Sequence, residues 1–137
     1  MSESTAIIRT EQDGSISFGD YTLPEKTKVS DYEFNGDLYK VKTFTEITKL
    51  EKNGLFIYES VPGTSVSGFR ADEKDITFRV SGKEDVQITL ELEEEKEYEV
   101  LLDDVNVGKM KTNVSGKLNI SIELGNGEPV RVRIIRL

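Results

Sequence analysis

The stretch Val86-Gln-Ile-Thr-Leu-Glu-Leu92 decides the fold class, because its apolar and polar residues alternate strictly. Successive side chains of a β-strand point to opposite faces, so this spacing gives one apolar face and one polar face. The same alternation returns in Lys117-Leu-Asn-Ile-Ser-Ile-Glu-Leu124 and in Val130-Arg-Val-Arg-Ile134. A shift of one residue would expose every apolar side chain, so the pattern specifies the register strongly. Residues 86–137 therefore predict an antiparallel meander of amphipathic strands.

Turn residues separate the strands of this C-terminal part. Tyr98-Glu-Val-Leu-Leu102 and Val105-Asn-Val-Gly-Lys-Met-Lys111 flank Asp103-Asp104, which predicts a hairpin with a tight acidic turn. Gly125-Asn126-Gly127 stands between the last two strands, and these residues tolerate a positive φ. We therefore expect the last two strands to pair across this turn.

Similar punctuation continues through the amino-terminal part. Asn35-Gly36, a strong hairpin signal, separates apolar-alternating runs at 28–34 and 37–44. Ser15-Ile-Ser-Phe18 and Tyr21-Thr-Leu23 predict a small hairpin, and residues 46–52 are the one candidate for a short helix. Pro62-Gly-Thr-Ser-Val-Ser-Gly68 predicts a flexible loop over a binding or assembly face.

About ten short strands with regular turn signals are typical of a sandwich or a barrel. We predict an all-β, antiparallel two-sheet β-sandwich that forms a single domain over residues 1–137. Residues 1–14 are polar apart from Ala6-Ile-Ile8, which is a candidate edge strand. This segment is the part of the chain for which loose order is expected.

Composition bounds the function classes. The chain has 137 residues, 26 acidic and 18 basic side chains and a net charge of −8, which disfavours nucleic acid because phosphate backbones select clustered Lys and Arg. The absence of Cys and His removes disulfides, thiolate zinc sites and the Ser-His-Asp arrangement. No apolar run is long enough to span a membrane, and the charged first residues do not make a signal peptide. We therefore expect a cytoplasmic protein without a cofactor, a metal site or a membrane partner.

Aromatic residues are concentrated before residue 70, and Tyr and Phe are typical anchors of interfaces. In residues 54–61 both parities are apolar as far as Tyr58, which leaves one row of this strand without an obvious core. Another layer of the same chain, or a second copy across a symmetric patch, would have to cover that row. The sequence thus predicts self-association, and Tyr58→Asp is expected to separate the copies without unfolding them. The candidates for an interface or ligand face are Phe56, Tyr58, Tyr39 and Tyr21.

Three acidic features have possible chemistry. Glu59 follows Tyr58 on a predicted strand, where its side chain is expected to be half-buried. It is therefore the candidate acid if the chain hydrolyses a glycosidic bond. That reaction needs two facing carboxylates. Asp72-Glu73-Lys74-Asp75 and Asp103-Asp104-Val105-Asn106 are rich in oxygen ligands. Neither matches the twelve-residue calcium loop, so ordinary turn chemistry is the favoured interpretation.

Two resemblances add to this reading. The segment Tyr98-Glu-Val…Thr112-Asn113-Val-Ser-Gly116…Val130-Arg-Val-Arg-Ile134 resembles the closing hairpins of Ig-like β-sandwich domains appended to bacterial carbohydrate-active enzymes. The chain as a whole resembles short Firmicutes proteins labelled endosialidase. The segments that carry this resemblance are Asp13-Gly-Ser-Ile-Ser-Phe-Gly-Asp-Tyr-Thr-Leu23, Asn35-Gly-Asp-Leu-Tyr-Lys-Val-Lys-Thr-Phe44 and Glu59-Ser-Val-Pro-Gly-Thr-Ser-Val66. The label implies cleavage inside polysialic acid. Catalytic domains of that activity are large propellers with clustered arginines, so the resemblance implies a stalk, binding or assembly module and carries over no catalytic residue.

The sequence therefore favours a non-catalytic binding or assembly module that self-associates or binds a carbohydrate or protein ligand. Without His, Cys or a recognisable acid pair, catalysis is not expected. A small carbohydrate-directed hydrolase and a structural component of a phage-like particle stay open as alternatives.

Overall fold

Thirteen β-strands and no helix are present in the described structure, a computed structural model that covers residues 7–72, 74–125 and 127–137. The strands are β1 (Ile8–Thr10), β2 (Ile16–Phe18), β3 (Thr27–Phe34), β4 (Asp37–Phe44), β5 (Ile47–Lys52), β6 (Leu55–Val61), β7 (Thr64–Ala71), β8 (Asp75–Gly82), β9 (Val86–Glu91), β10 (Glu97–Leu102), β11 (Val105–Lys111), β12 (Lys117–Ile122) and β13 (Val130–Arg136). They form a seven-stranded sheet in the order β1-β2-β7-β8-β13-β10-β11 and a six-stranded sheet in the order β12-β9-β6-β5-β4-β3. All pairings are antiparallel, which confirms the predicted all-β, two-sheet sandwich.

Two-residue turns with positive φ close the hairpins that the sequence predicts. The φ angles are 52° and 82° in Asn35-Gly36 and 51° and 66° in Asp103-Asp104. Asn53-Gly54 makes a third turn of this kind between β5 and β6, with φ angles of 52° and 81°. Such angles match the right-handed twist of the flanking strands. The hairpins predicted at 28–44 and 98–111 are therefore confirmed.

The C-terminal part is not a meander. β9 and β12 pair in the six-stranded sheet, whereas β13 lies between β8 and β10 in the seven-stranded sheet. The expected pairing of the last two strands across Gly125-Asn126-Gly127 is therefore wrong, and Asn126 itself lies outside the described residues. Alternation specifies which face of a strand is buried. It does not specify the partner, because both sheets offer the same kind of apolar face.

Three local predictions between residues 20 and 70 are also wrong. Residues 46–52 contain strand β5 instead of a helix, because β4 and β6 pair with its two edges and Thr48 and Leu50 enter the core. Residues 21–23 form no strand, and β2 pairs with β1 and β7. The loop predicted at 62–68 is largely strand β7, whose Thr64 is buried.

The amino-terminal segment is held by the seven-stranded sheet from Ile7 onward. Ile7 and Ile8 are buried, and β1 pairs with β2 as an edge strand. The expectation of loose order therefore does not fit residues 7–10. Residues 1–6 lie outside the described residues.

The core lies between the two sheets, and β9 and β12 build its aliphatic part. Their inward residues, none more than 3% exposed, are Val86, Ile88, Leu90, Leu118, Ile120 and Ile122. Buried hydroxyls of Thr43, Thr48, Ser60 and Thr64 bond to one another or to the backbone at 2.7–2.8 Å. No buried side-chain polar atom of the described residues lacks a hydrogen-bond partner, so this core carries no desolvation penalty from unpaired groups.

Ile120→Ala is expected to lower the free energy of unfolding by about 2–5 kcal/mol, because it removes a large side chain from the buried face of β12. Ser121→Ala, on the exposed face, is expected to change it by less than about 0.5 kcal/mol, although Ser121 accepts a 2.6 Å hydrogen bond from Gln87. Urea denaturation of both variants measures the difference. Equal effects would contradict the facing of this strand.

Candidate functional site

Tyr58 lies in the centre of the core and not on a surface. It is 0% exposed, and its ring contacts Phe18 and Phe78 edge-on at centroid distances of 5.1 and 5.9 Å. Its hydroxyl shares a 2.8 Å hydrogen bond with that of Thr64. Burial raises the pKa of Tyr58 far above its usual value, and hydrogen bonds with Thr64 and Ser60 oppose this only in part. The predicted interface role of Tyr58 is therefore wrong.

A β-bulge explains why both parities of β6 are apolar. Beyond the pair Leu50–Tyr58, the register between β5 and β6 shifts by one residue and leaves Ile57 as an extra residue. Because an extra residue interrupts the alternation, Ile57 and Tyr58 both pack against the core. Phe56 lies half-buried on the outer face, where the ammonium of Lys117 is 4.6 Å from the ring centroid. Of the two aromatic residues of β6, Phe56 and Tyr58, only Phe56 therefore lies on the outer face of the sheet.

Tyr39 and Tyr21 do not share that outer face. Tyr39 points into the sandwich from β4, is 8% exposed, and has its ring 5.9 Å from the ring of Phe34. Burial, and to a lesser degree the carboxylate of Asp37, raise the pKa of Tyr39. Tyr21 is half-buried in the connection between β2 and β3. The candidate aromatic residues therefore do not form one ligand face.

Glu59 lies on the outer face of the six-stranded sheet, beside a lysine. Lys49 of β5 stands directly opposite it on one side, and Thr89 of β9 stands directly opposite on the other. Neither direct cross-strand neighbour is a carboxylate, whereas glycoside hydrolysis needs a pair of facing carboxyl groups. The position makes Glu59 a charge neighbour of a lysine cluster.

This cluster, which we call the lysine face, consists of Lys28, Lys40, Lys42 and Lys49 on the outer side of β3, β4 and β5. Lys28 is directly opposite Lys42, and Lys42 is directly opposite Lys49. Three ammonium-bearing side chains thus stand in one row across three strands that are about 4.8 Å apart. Like charges directly opposite each other in a sheet are destabilising. The row therefore opposes folding.

Few carboxylates compensate the lysine face. Within residues 7–72, 74–125 and 127–137, its single ion pair joins Lys49 to Glu51 at 3.5 Å. The arginines of β13 show the contrast, since Arg131 has an Asp104 oxygen at 2.9 Å. The negative charge of the chain lies elsewhere: residues 83–128 hold twelve carboxylates against five lysines, a net charge of −7. The lysine face is thus a positive cluster on an acidic protein, bordered by Glu51 opposite Lys40 and by Glu59 opposite Lys49.

Lys42 is at the centre of this charge. It is half-buried, and its pKa is lowered first by burial and then by the neighbouring charges of Lys26, Lys49, Lys28 and Lys40. A nearby anion favours the charged form of a lysine. An anionic ligand would therefore relieve the repulsion that the isolated protein carries.

A second bulge hides the lysine face from sequence reasoning. In β3, Ser30 and Asp31 together stand opposite Lys40, so the register shifts between the pairs formed by Val29 and Tyr32. Asp31 takes a positive φ of 59°. Without the extra residue, position 28 would fall on the inner face of the sheet. The alternating lysines of β4 are the only part of the cluster that the sequence pattern reveals.

The two acidic turns use their carboxylates within the fold. Asp72 accepts hydrogen bonds from the backbone N–H groups of Lys74 and Asp75, both at 2.8 Å, and these bonds lower its pKa. Asp103 accepts a 2.9 Å hydrogen bond from the N–H of Arg131. Glu73, part of the first turn, lies outside the described residues. The arrangement is that of ordinary turn chemistry.

In the part of the chain that the structure describes, no three acidic side chains are grouped so that they could hold a metal ion. No helix there is long and apolar enough to cross a membrane. No protein-family model matches the chain, and no curated protein or solved structure matches it.

Proposed function

We propose that this protein is a non-catalytic binding module that recognises an anionic ligand with its lysine face. The observation that carries the proposal is the cross-strand row of Lys28, Lys42 and Lys49 in a chain of net charge −8. The row lies on the outer side of a sheet whose inner side builds the core. The fold thus presents it to solvent on rigid elements, as a binding surface requires.

The row of Lys28, Lys42 and Lys49 does not stabilise the fold. Neutral side chains at the same outward positions would keep the sheet and remove the repulsion between like charges. Features that oppose folding are typical of sites shaped by function. Binding of an anion is the function for which clustered ammonium groups are suited.

The hydrolase alternative has less support than binding. Glu59 faces Lys49 and Thr89 across the strands, and it lies on an outer sheet face without a directly opposite carboxylate. A general acid instead works in a sheltered site that shifts its pKa. In a binding module, Glu59 has a simpler effect: it places one negative charge at the end of the lysine row.

Self-association stays a prediction, with a narrower basis than the sequence suggested. Ile57 and Tyr58 have their place in the core, so the exposed apolar residues at this end of β6 are Leu55, at 71% exposure, and the half-buried Phe56. A carbohydrate or protein that carries acidic groups fits the lysine face without a second copy. Among the residues that the structure describes, no surface feature favours a particle component over these partners.

Glu59→Gln is expected to tighten binding to dextran sulfate, because it removes the negative charge beside Lys49. An exposed charge pair contributes about 0.2–1 kcal/mol, which corresponds to at most about a fivefold change in Kd. The measurement is the salt concentration that elutes the protein from immobilised dextran sulfate. Glu97→Gln on β10 is the control, since it makes the same charge change on the other sheet. Equal shifts in both variants, or no retention of the wild type at low salt, would contradict the proposal.

A further inference from the structure

The lysine face contains a small depression. It has a volume of about 50 Å³ and is lined by Lys28, Lys40, Lys42, Lys49 and Glu51. A water molecule needs roughly 10–15 Å³ of such space, and drug-sized ligands occupy cavities of about 300–1,000 Å³. The depression therefore has the size for a small ionic group and not for a whole organic ligand.

The charge around the depression selects a multivalent anion. Four ammonium groups and one carboxylate give a formal charge of +3, and Glu51 is engaged by Lys49. A carboxylate ligand brings one negative charge, whereas a phosphate monoester brings about −1.5 to −2 near pH 7. Each ammonium has three N–H donors and no acceptor, and lysine is a common partner of phosphate oxygens. Two linked phosphates therefore neutralise the formal charge of +3 more completely than one carboxylate does.

The lysine face is short compared with a long polyanion. The row of lysines spans three strands, about 10 Å at a strand spacing of about 4.8 Å. Its next member on β6 is Glu59. A long chain of negative charges would continue past Glu59 to Thr89 of β9 and Asn119 of β12, where no lysine stands in the row. A compact anion therefore makes all of the favourable contacts that a long polyanion makes with the lysine face, and it does not have to pass Glu59.

We propose that the depression between Lys28, Lys40, Lys42 and Lys49 binds a diphosphate group. The inference rests on the proposed function, because it names the ligand class of the lysine face. The diphosphate oxygens accept hydrogen bonds from lysines on three neighbouring strands, and their charge removes the repulsion between Lys28, Lys42 and Lys49. The group belongs either to free pyrophosphate or to a small molecule that ends in a diphosphate.

Isothermal titration calorimetry at low ionic strength, with inorganic pyrophosphate as the probe, tests the proposal. Lys42→Gln is expected to weaken binding by at least about tenfold, the lower end of the effect of losing one hydrogen bond to a charged group. Lys83→Gln is the control, because Lys83 is an exposed lysine in the turn between β8 and β9 and gives the same change in net charge. It is expected to alter Kd by less than about twofold. Equal losses in both variants would overturn the site.

Other probes separate the possible failures. If dextran sulfate binds and pyrophosphate does not, the diphosphate inference falls and the proposed function stands. If neither binds, both fall. ADP that binds more tightly than pyrophosphate supports a nucleotide source, and equal affinities support the diphosphate alone. Loss of binding in Arg79→Gln but not in Lys42→Gln would overturn the site in favour of the groove on the seven-stranded sheet, which Arg79 and Arg131 line.

Thermal unfolding without ligand completes the test. Lys42→Gln is expected to raise the unfolding midpoint, because it removes a half-buried charge from a row of like charges. The added pyrophosphate should then stabilise the wild type more than the variant. If Lys42→Gln instead unfolds early, Lys28→Gln at an exposed position of the same row decides the question, and its undiminished binding would overturn the proposal.

Discussion

Tyr58→Asp is expected to leave the chain unfolded at 25 °C. The substitution removes a ring that is 0% exposed and contacts Phe18 and Phe78, a loss of about 3–5 kcal/mol for a large-to-small change. It also places a carboxylate in the centre of the core without a cationic partner, at a cost of several kcal/mol. A domain of this size is stable by about 5–15 kcal/mol in total. The two penalties together are comparable with that stability.

Two variants control this prediction, and circular dichroism with size-exclusion chromatography measures all three. Phe56→Asp makes a similar change two residues away on the outer face, and it is expected to leave the protein folded. Tyr58→Phe keeps the ring and is expected to cost about 0.5–1.5 kcal/mol, because Thr64 retains its hydrogen bond with Ser60. A folded Tyr58→Asp variant with a smaller oligomeric state would show instead that Tyr58 lies at an interface between copies.

The periodicity of the sequence predicts the strands of the C-terminal part but not their partners. Val86-Gln-Ile-Thr-Leu-Glu-Leu92 and Lys117-Leu-Asn-Ile-Ser-Ile-Glu-Leu124 have the expected buried faces, since side-chain direction depends only on local geometry. Whether β13 joins β12 or inserts between β8 and β10 depends on contacts distant in the chain. Two-residue turns such as Asn35-Gly36 fix a partner locally, and those hairpins are the pairings that the sequence predicts correctly.

Bulges limit how far the site can be predicted. Each adds one residue to a strand and reverses the facing of every residue beyond it. In β6 the extra Ile57 moves Tyr58 into the core, and in β3 the extra residue at 30–31 brings Lys28 to the side of Lys42. Neither bulge has a glycine at its extra residue. The sequence therefore overstates the exposed aromatic surface and conceals the positive one.

Gly63, the residue before β7, is the site of the second large expected effect. Gly63→Ala is expected to lower the free energy of unfolding by more than about 3 kcal/mol, at or beyond the usual range for overpacking. A Cβ at this position would clash with the carbonyl oxygen of Phe44 and lie 3.2 Å from that of Thr45. The N–H of Gly63 donates a 2.9 Å hydrogen bond to the same Thr45 oxygen. Both neighbours are backbone atoms at the turn between β4 and β5, so the added methyl group requires the backbone of one of the two segments to shift.

Gly82→Ala is the matched control for this effect. A Cβ there would lie 3.1 Å from Cδ1 of Leu124, the far end of a half-buried side chain that can change its rotamer, so a loss below about 1 kcal/mol is expected. Urea denaturation of both variants gives the comparison. If residues 62–68 formed a flexible loop, Gly63→Ala would lower the free energy of unfolding no more than Gly82→Ala does. A large loss in Gly63→Ala alone would follow from the close contact of Gly63 with the turn that joins β4 to β5.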